Sequence, residues 1–495
     1  MSTRDVVAGA LWRRQLLLVL VVWAAIYLPA LGSLEIKGEE GRRILPAVAM
    51  LESGNYVVPY VGGEPYLRKP PLVNWLVAAS FKLFGVQNEW TARSPSALCV
   101  LVVAICFVTV SRRSLGGNGA LFAALMWLTS FGIIEKGRLI EIEALYVSLF
   151  GLAMICWLSS WVERRSPWLL WIVPFVFLGL GMLAKGPLHL AFFYAVVVAV
   201  VWHRRETGGP ASGWRRIAPL MHPAHLLGLG VMLGIFGAWA LPYLQMTEGA
   251  SSMDVWVRQF TGRISGEEFD LGGWIWNIPR AIGYCLPWVI LLLFVPSAFR
   301  RSGDGQVARA LAWGIAVPFL VVNLLPGGLP RYTMPLLVPV IWLIAMTLTS
   351  PQLAAPRGWR LARVLFATTR GFVVGLSLAI AAAILIYALA LVPFLRKREK
   401  VRNVAAQIQA AMPAGERLYA IDPEYQPFLF YIRSPLTYVP RVGDLPPTAR
   451  FFVVESKKEK DVLASSRWGE RPPREVVRVK DYRSKTVILY AHDPA

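Results

Sequence analysis

The chain is written in apolar blocks of about twenty residues joined by short polar segments, and this pattern limits its folds more than any other feature. A bilayer hydrocarbon core of roughly 30 Å is crossed by about twenty apolar helical residues. Blocks of this kind are predicted as spans at 15–33, 94–111, 118–135, 140–161, 167–184, 187–202, 223–245, 280–299, 307–325, 332–349 and 371–394. A shorter stretch, 71–86, follows Lys69-Pro70-Pro71 and holds Asn74 and Lys82, so it is expected to lie at the interface or to re-enter. Hydrophobic residues make up 56% of the 495 and charged residues 16%, whereas a soluble domain has about a quarter charged. The expected fold is an all-α polytopic membrane domain with about eleven to thirteen transmembrane helices.

The net charge of +21 does not point to nucleic acid, because the cations are gathered in the joints between blocks. Alternating the spans from a cytoplasmic N-terminus puts Arg112-Arg113, Arg164-Arg165, Arg204-Arg205 with Arg215-Arg216, Arg300-Arg301, and Arg357, Arg360 and Arg363 on the cytoplasmic side. That is the positive-inside pattern, and the basic balance also suits anionic membrane lipids. The other face receives 34–93 and 246–279, which carry Glu35, Glu39, Glu40, Glu52 and Glu64, then Glu248, Asp254, Glu267, Glu268 and Asp270. Arg4, Arg13 and Arg14 before the apolar run to Leu31 resemble a signal peptide, with Ala30-Leu31-Gly32 as a passable cleavage site. We read it as an uncleaved first span. Cys99, Cys106, Cys156 and Cys285 all sit in apolar blocks without ligand spacing and are read as buried packing residues.

From about residue 397 the composition changes. "RLYAIDPEY", "PFLFYIR", "ARFFVVES" and "KTVILYAHD" read as short strands, and "VRNVAAQIQAAM" as a helix. The expected organisation is a membrane domain over 1–396, with a long first external loop at 34–93, and a small external α/β domain over 397–495. No HExxH, GxSxG, Walker A or nucleotide-binding glycine fingerprint occurs.

Ionisable residues at the external ends of the blocks are the candidates for chemistry. Glu141 and Glu143 lie just inside the fourth apolar block with Arg138 just before them. A charge in a span is costly and points to function, although a structural ion pair is the plain alternative. Lys185 in "AKGP" and Arg331 in "GLPRY" close two spans, and Arg258, Gln259 and Arg263 fall in the loop between. On this topology Arg42, Lys69, Lys185, Arg263 and Arg331 all face outward. Each taken singly is as well read as a snorkelling cation. Together they suit a phosphate or pyrophosphate.

These motifs, in this order, resemble those of GT-C fold glycosyltransferases in the dolichyl-phosphate-mannose protein mannosyltransferase-like superfamily, most of all the bacterial 4-amino-4-deoxy-L-arabinose transferases of lipid A. The family's acidic pair, Arg, "MLxSGDWVVP" and "YFEKP" correspond to Glu39-Glu40, Arg42, "MLESGNYVVP" and "YLRKP". "GR" with an acid five residues on appears as Gly137-Arg138 and Glu143, "TKGP" as "AKGP", and "LPxYxLP" as "LPRYTMP". The resemblance covers about 15–350. Glu39 and Glu143 stand where the family has Asp, and Pro46 interrupts a stretch that the family makes helical.

The resemblance implies transfer of a sugar from a polyprenyl-phosphate donor to a lipid or glycan acceptor, on the outer face of a bacterial inner membrane. It implies catalytic carboxylates at Glu39, Glu40 and Glu143, donor-phosphate contacts at Arg42, Lys69, Lys185, Arg263 and Arg331, and substrate positioning by Tyr66, Arg138, Glu141 and Tyr332. A divalent metal is compatible with related enzymes, and no ligand cluster in the sequence demands one. A transporter or lipid flippase shares the spans and buried acids, and an inactive relative acting as an envelope scaffold shares the motifs; the residues alone leave both open.

Overall fold

The computed structural model of the chain describes residues 3–203, 205–206, 209–210, 214–247, 254–258, 261, 269–299, 305–351, 369–469, 471–480 and 485–492. They fall into two compact units. The first comprises 1–29, 68–72 and 96–387, and the second 30–67, 73–95 and 388–495. This division cuts across the boundary expected at 396, because the first external loop belongs to the same unit as the C-terminal domain.

The first unit is helical. Among the described residues, seven helices are long and apolar enough to cross a membrane, or nine when each of two bent pairs is one span. The chain is a multi-pass membrane protein. Two further predicted segments are the helices Thr3–Tyr27 and Leu188–Trp202; the latter, at fifteen residues, is about 22 Å long. The helix Ile142–Val162 is central and is buried along its whole apolar window, which is why it is apolar on every side. It packs on Pro167–Lys185, which in turn packs on Pro223–Met246. Pro223–Met246 and Gly305–Leu324 leave Leu226, Leu233, Leu241, Trp313 and Val321 exposed, as lipid-facing surfaces do.

Two blocks that read as single spans are bent. Arg112–Thr129 turns by 59° into Phe131–Gly137, and Asn277–Gly283 turns by 97° into Trp288–Phe294. A break at membrane depth frees backbone groups that lipid cannot satisfy. Here each break satisfies the other. The N–H groups of Phe131 and Gly132 donate to the carbonyls of Leu286 and Tyr284, both at 3.0 Å, and Trp288 Nε1 donates to Thr129 Oγ1 at 3.0 Å.

In the second unit the helix Gly41–Ser53 runs through Pro46 without a break. A proline there removes one intrahelical bond, and the buried face of Ile44, Leu45, Ala47 and Met50 holds the helix in place. The stretch predicted as interfacial is the helix Leu72–Phe84. The C-terminal domain is a five-stranded mixed sheet in the order Leu436–Val439, Leu418–Ile421, Phe451–Glu455, Thr486–Ala491, Arg474–Lys480, with the first three parallel. Its core gathers Ile421, Val439, Phe452, Trp468 and Ile488. Three of the four predicted strands are present. "PFLFYIR" is instead a 3-10 helix, Pro427–Tyr431, because proline opens it and its aromatic residues bury as a turn beside the helix Val401–Ala410.

That helix is joined to the first loop at its N-terminus. The fully buried carboxylate of Glu35 accepts from the N–H groups of Lys400, Val401 and Arg402 at 3.1, 2.8 and 3.1 Å. These are among the donors a helix leaves unpaired at its positive end.

Candidate functional site

In the membrane unit the site begins with Glu143, in the first turn of Ile142–Val162. A carboxylate is favoured there by the helix dipole. Its Oε1 accepts from Lys185 Nζ at 3.1 Å and lies 3.4 Å from Arg331 Nε. Lys185 ends the helix Pro167–Lys185, and Arg331 stands in the turn Pro330–Leu336. Two cations thus meet on one carboxylate. Glu143 is buried and the Lys185 side chain is 11% exposed, whereas the Arg331 side chain is 42% exposed. The Lys185 ammonium lies 5.3 Å from the Tyr146 ring centroid and 5.0 Å from that of Tyr332, close enough for cation–π attraction. His189 packs edge-on to Tyr146 with centroids 5.1 Å apart.

A second group lies just before it in sequence. Lys136 pairs with Glu135 at 2.8 Å and Glu141 at 2.9 Å. Arg138 is placed differently from the expectation of a substrate contact. It donates to the carbonyls of Ile26 and Pro29 and so ties down the end of the first helix.

In the second unit the two adjacent acids of the first loop separate into different roles. Glu40 is 4% exposed and forms a two-pronged bond to Arg93, Oε1 to Nε and Oε2 to Nη2, both 2.8 Å. Arg93 also donates to the carbonyls of Leu31, Leu34 and Glu35. The expectation that Glu40 is catalytic is therefore corrected: it is the counter-ion of a buried arginine that knots the loop. Glu39 is the accessible acid, 41% exposed and paired with Arg42 at 3.0 Å. Tyr66 receives a bond from Arg43 Nη1 at 3.3 Å. Lys69 belongs to the stretch 68–72 of the membrane unit. Arg263 lies outside the described residues.

The motif search missed Arg93, Lys136, Tyr146 and Tyr425. Arg93 opens an apolar block and reads as a boundary marker; its partner is 53 residues away. Lys136 was legible as an ionisable residue at the end of a block. Tyr146, one turn after Glu143, carries a polar handle in a span. Nothing in the sequence marks Tyr425, whose ring lies 3.8 Å from the Arg42 guanidinium. Among the described residues no group of three His, Cys, Asp or Glu is placed to hold a metal ion.

Comparison with known structures is decisive for the fold. A crystal structure of ArnT from Cupriavidus metallidurans bound to undecaprenyl phosphate superposes with a TM-score of 0.71, covering 99% of this chain and 98% of that one at 18% identity. Its apo state gives 0.69 over 98% of each. The chain has a GT-C fold of the ArnT type. The family model described as dolichyl-phosphate-mannose-protein mannosyltransferase matches residues 68–210, a stretch of the GT-C fold that includes Lys69, Glu143 and Lys185. Among curated proteins, the undecaprenyl phosphate-alpha-4-amino-4-deoxy-L-arabinose arabinosyl transferase 2 of Pseudomonas fluorescens (strain Pf0-1) is 25% identical over 341 residues. The corresponding transferase of Pseudomonas aeruginosa (strain UCBPP-PA14) is 27% identical over 349. Both matches take in 67% of this chain and span 59% of the relative's length.

Proposed function

We propose that the chain is a membrane glycosyltransferase that takes a sugar from a polyprenyl-phosphate donor and passes it to a lipid or other envelope acceptor on the outer face of a bacterial inner membrane. Undecaprenyl-phosphate 4-amino-4-deoxy-L-arabinose and lipid A are the donor and acceptor to try first, in keeping with the names of the curated relatives. The observation that carries this reading is the meeting of Lys185 and Arg331 on the single carboxylate of Glu143. The Arg331 guanidinium beside them is partly open to solvent. A transporter does not require two cations fixed on one carboxylate at the outer ends of its spans. A departing lipid phosphate does.

In the proposed reaction an acceptor oxygen attacks the anomeric carbon, and the bond from that carbon to the phosphate oxygen breaks. The electron pair stays on the phosphate, whose growing charge Lys185 and Arg331 neutralise in fixed positions. Lys69 and Arg42 are assigned to the same phosphate on the strength of the motif order. Glu143 holds the two cations and keeps them from repelling each other. Glu39 takes the acceptor proton, a role for an accessible carboxylate. The proposed topology has a cytoplasmic N-terminus, so a reporter joined after Ala495 is expected outside.

The test is transfer of radiolabelled sugar from a panel of polyprenyl-phosphate sugars by purified protein in lipid, with envelope extract as acceptor, with and without a chelator. Transfer from one donor that is lost in Lys185→Gln and in Glu39→Gln supports the reading. Folded protein that transfers from no donor refutes it.

A further inference from the structure

The turn Asp422–Tyr425 leaves the strand Leu418–Ile421 against the preferences of its backbone. Asp422 has φ +37° and Glu424 φ +53°, left-handed values that residues with side chains rarely adopt. Such backbone persists where its surroundings over-determine it, and it gathers at functional sites. The surroundings do so here. Lys458 Nζ donates to the Asp422 carbonyl at 2.9 Å and pairs with the Asp422 carboxylate. Lys457 pairs with Glu424 at 2.7 Å, and the Asp422 N–H donates to the Val439 carbonyl at 2.9 Å.

What this turn presents is the ring of Tyr425, 3.8 Å from the Arg42 guanidinium. The first loop is shaped to receive it. A side chain at Gly41 would run into the Tyr425 carbonyl oxygen, and one at Gly62, itself at φ +62°, would come within 2.9 Å of the Glu424 carbonyl. Arg42 is thereby held on its face by Tyr425 and at its edge by Glu39, 3.0 Å away. An arginine loses more on being released from such a stack than a surface charge does, because its planar group is oriented by it.

We propose that Tyr425 is a positioning residue for sugar transfer: its ring fixes Arg42, and through Arg42 the Glu39 carboxylate, so that the C-terminal domain builds part of the reacting loop. This rests on the assignment of Glu39 and Arg42 to the transfer reaction. It differs from a packing role, which any large apolar side chain would fill.

Two measurements on the full chain in lipid decide it. The first is hydrogen–deuterium exchange over residues 38–54. Tyr425→Ala is expected to speed exchange there and to leave the membrane helices unchanged, and Tyr425→Phe to match wild type. The second is a double-mutant cycle on kcat/KM for transfer. Tyr425→Ala is expected to lower it about fivefold to tenfold, as loss of a partly exposed cation–π contact would, Tyr425→Phe to hold it within about twofold, and Tyr425→Ala to cost nothing more once Arg42 is already alanine. If Tyr425→Ala yields no folded protein, Tyr425→Leu, which keeps bulk without a ring face, takes its place with the same expectations. Wild-type exchange in 38–54 overturns the proposal, and so does an equal loss in the Arg42→Ala background. Absence of transfer by the wild type refutes the enzymatic assignment instead, and exchange still decides whether Tyr425 holds the loop.

Discussion

The two buried ionic groups built around Glu40 and Glu143 look alike in a sequence and differ in kind. Glu40 meets one arginine, matched oxygen for nitrogen, and both side chains are 5% exposed or less. The arginine's remaining donors go to backbone carbonyls. Charge is balanced there, and that pair is closed. Glu143 meets two cations on one oxygen, and the side chain of one of them, Arg331, is 42% exposed. That group joins two cations to one carboxylate and leaves one of them partly open. A closed pair maintains a loop, whereas a partly open one is what the proposed donor phosphate requires.

The most damaging way to probe this contrast is to open the closed pair. Arg93→Leu leaves the Glu40 carboxylate buried and unpaired, a change that costs about 3–5 kcal/mol. The expected outcome is collapse of folded protein in detergent, read by size-exclusion and thermal melting. Glu40→Leu combined with Arg93→Leu should recover only the part due to the stranded charge, because the carbonyls of Leu31, Leu34 and Glu35 still lose their donor. A single Arg93→Leu variant that melts like wild type would mean that the pair is not structural.

Lys185→Gln should behave in the opposite manner. Loss of one fixed charge at a departing phosphate costs about 10²–10³ in turnover, while the melting temperature stays near wild type, since Glu143 retains Arg331 as a partner. Equal losses of stability and activity would place Lys185 in the same class as Arg93 and end the comparison. Glu143→Gln sharpens it further. It frees both cations without removing either, so turnover is expected to fall more than donor affinity does, measured as separate kcat and KM values.

The contrast also marks how far the sequence could be read. The membrane helices were legible because each depends on local composition, and Glu143, Lys185 and Arg331, which the structure brings together, stood out as ionisable residues at the ends of apolar blocks. The assignment of Glu40 was not, because its role is set by Arg93, 53 residues on. Arg138 was misplaced for the same reason: its acceptors are backbone carbonyls more than a hundred residues back, and carbonyls leave no trace in a sequence. The bends at Ser130 and Pro287 were read as straight because each is stabilised by the other. The merging of the first loop with the C-terminal domain rests on contacts such as that of Glu35 to the Val401 N–H, 366 positions apart.

A smaller effect tests that merging. Glu35→Gln keeps an acceptor at the N-terminus of Val401–Ala410 and removes the charge that the helix dipole favours, at about 1 kcal/mol. Exchange in 401–410 should quicken while the sheet strands stay protected. No change there would mean that backbone geometry alone holds the helix end.

The smallest expected effect concerns the turn beneath Tyr425. The hydrogen bond from Lys457 holds the Glu424 carboxyl below its ordinary value of 4.5, against partial burial. A carboxyl lowered on folding contributes stability that is fully present above its unfolded value and is lost as the pH falls through its folded one. The turn is therefore expected to keep its order at neutral pH and to loosen only below about pH 4.5, the ordinary carboxylate value. The Glu424 side chain is 36% exposed, so screening keeps the change small, and it should be visible as faster exchange around 422–425 before any global transition. In Lys457→Met the same loosening should already be present at neutral pH and should no longer depend on acid. A turn that loosens with the same acid profile in both proteins would assign the effect to some other carboxylate, and the left-handed residues Asp422 and Glu424 would then be held without Lys457, by Lys458, the Val439 carbonyl and Lys485, which lies 3.9 Å from Glu424.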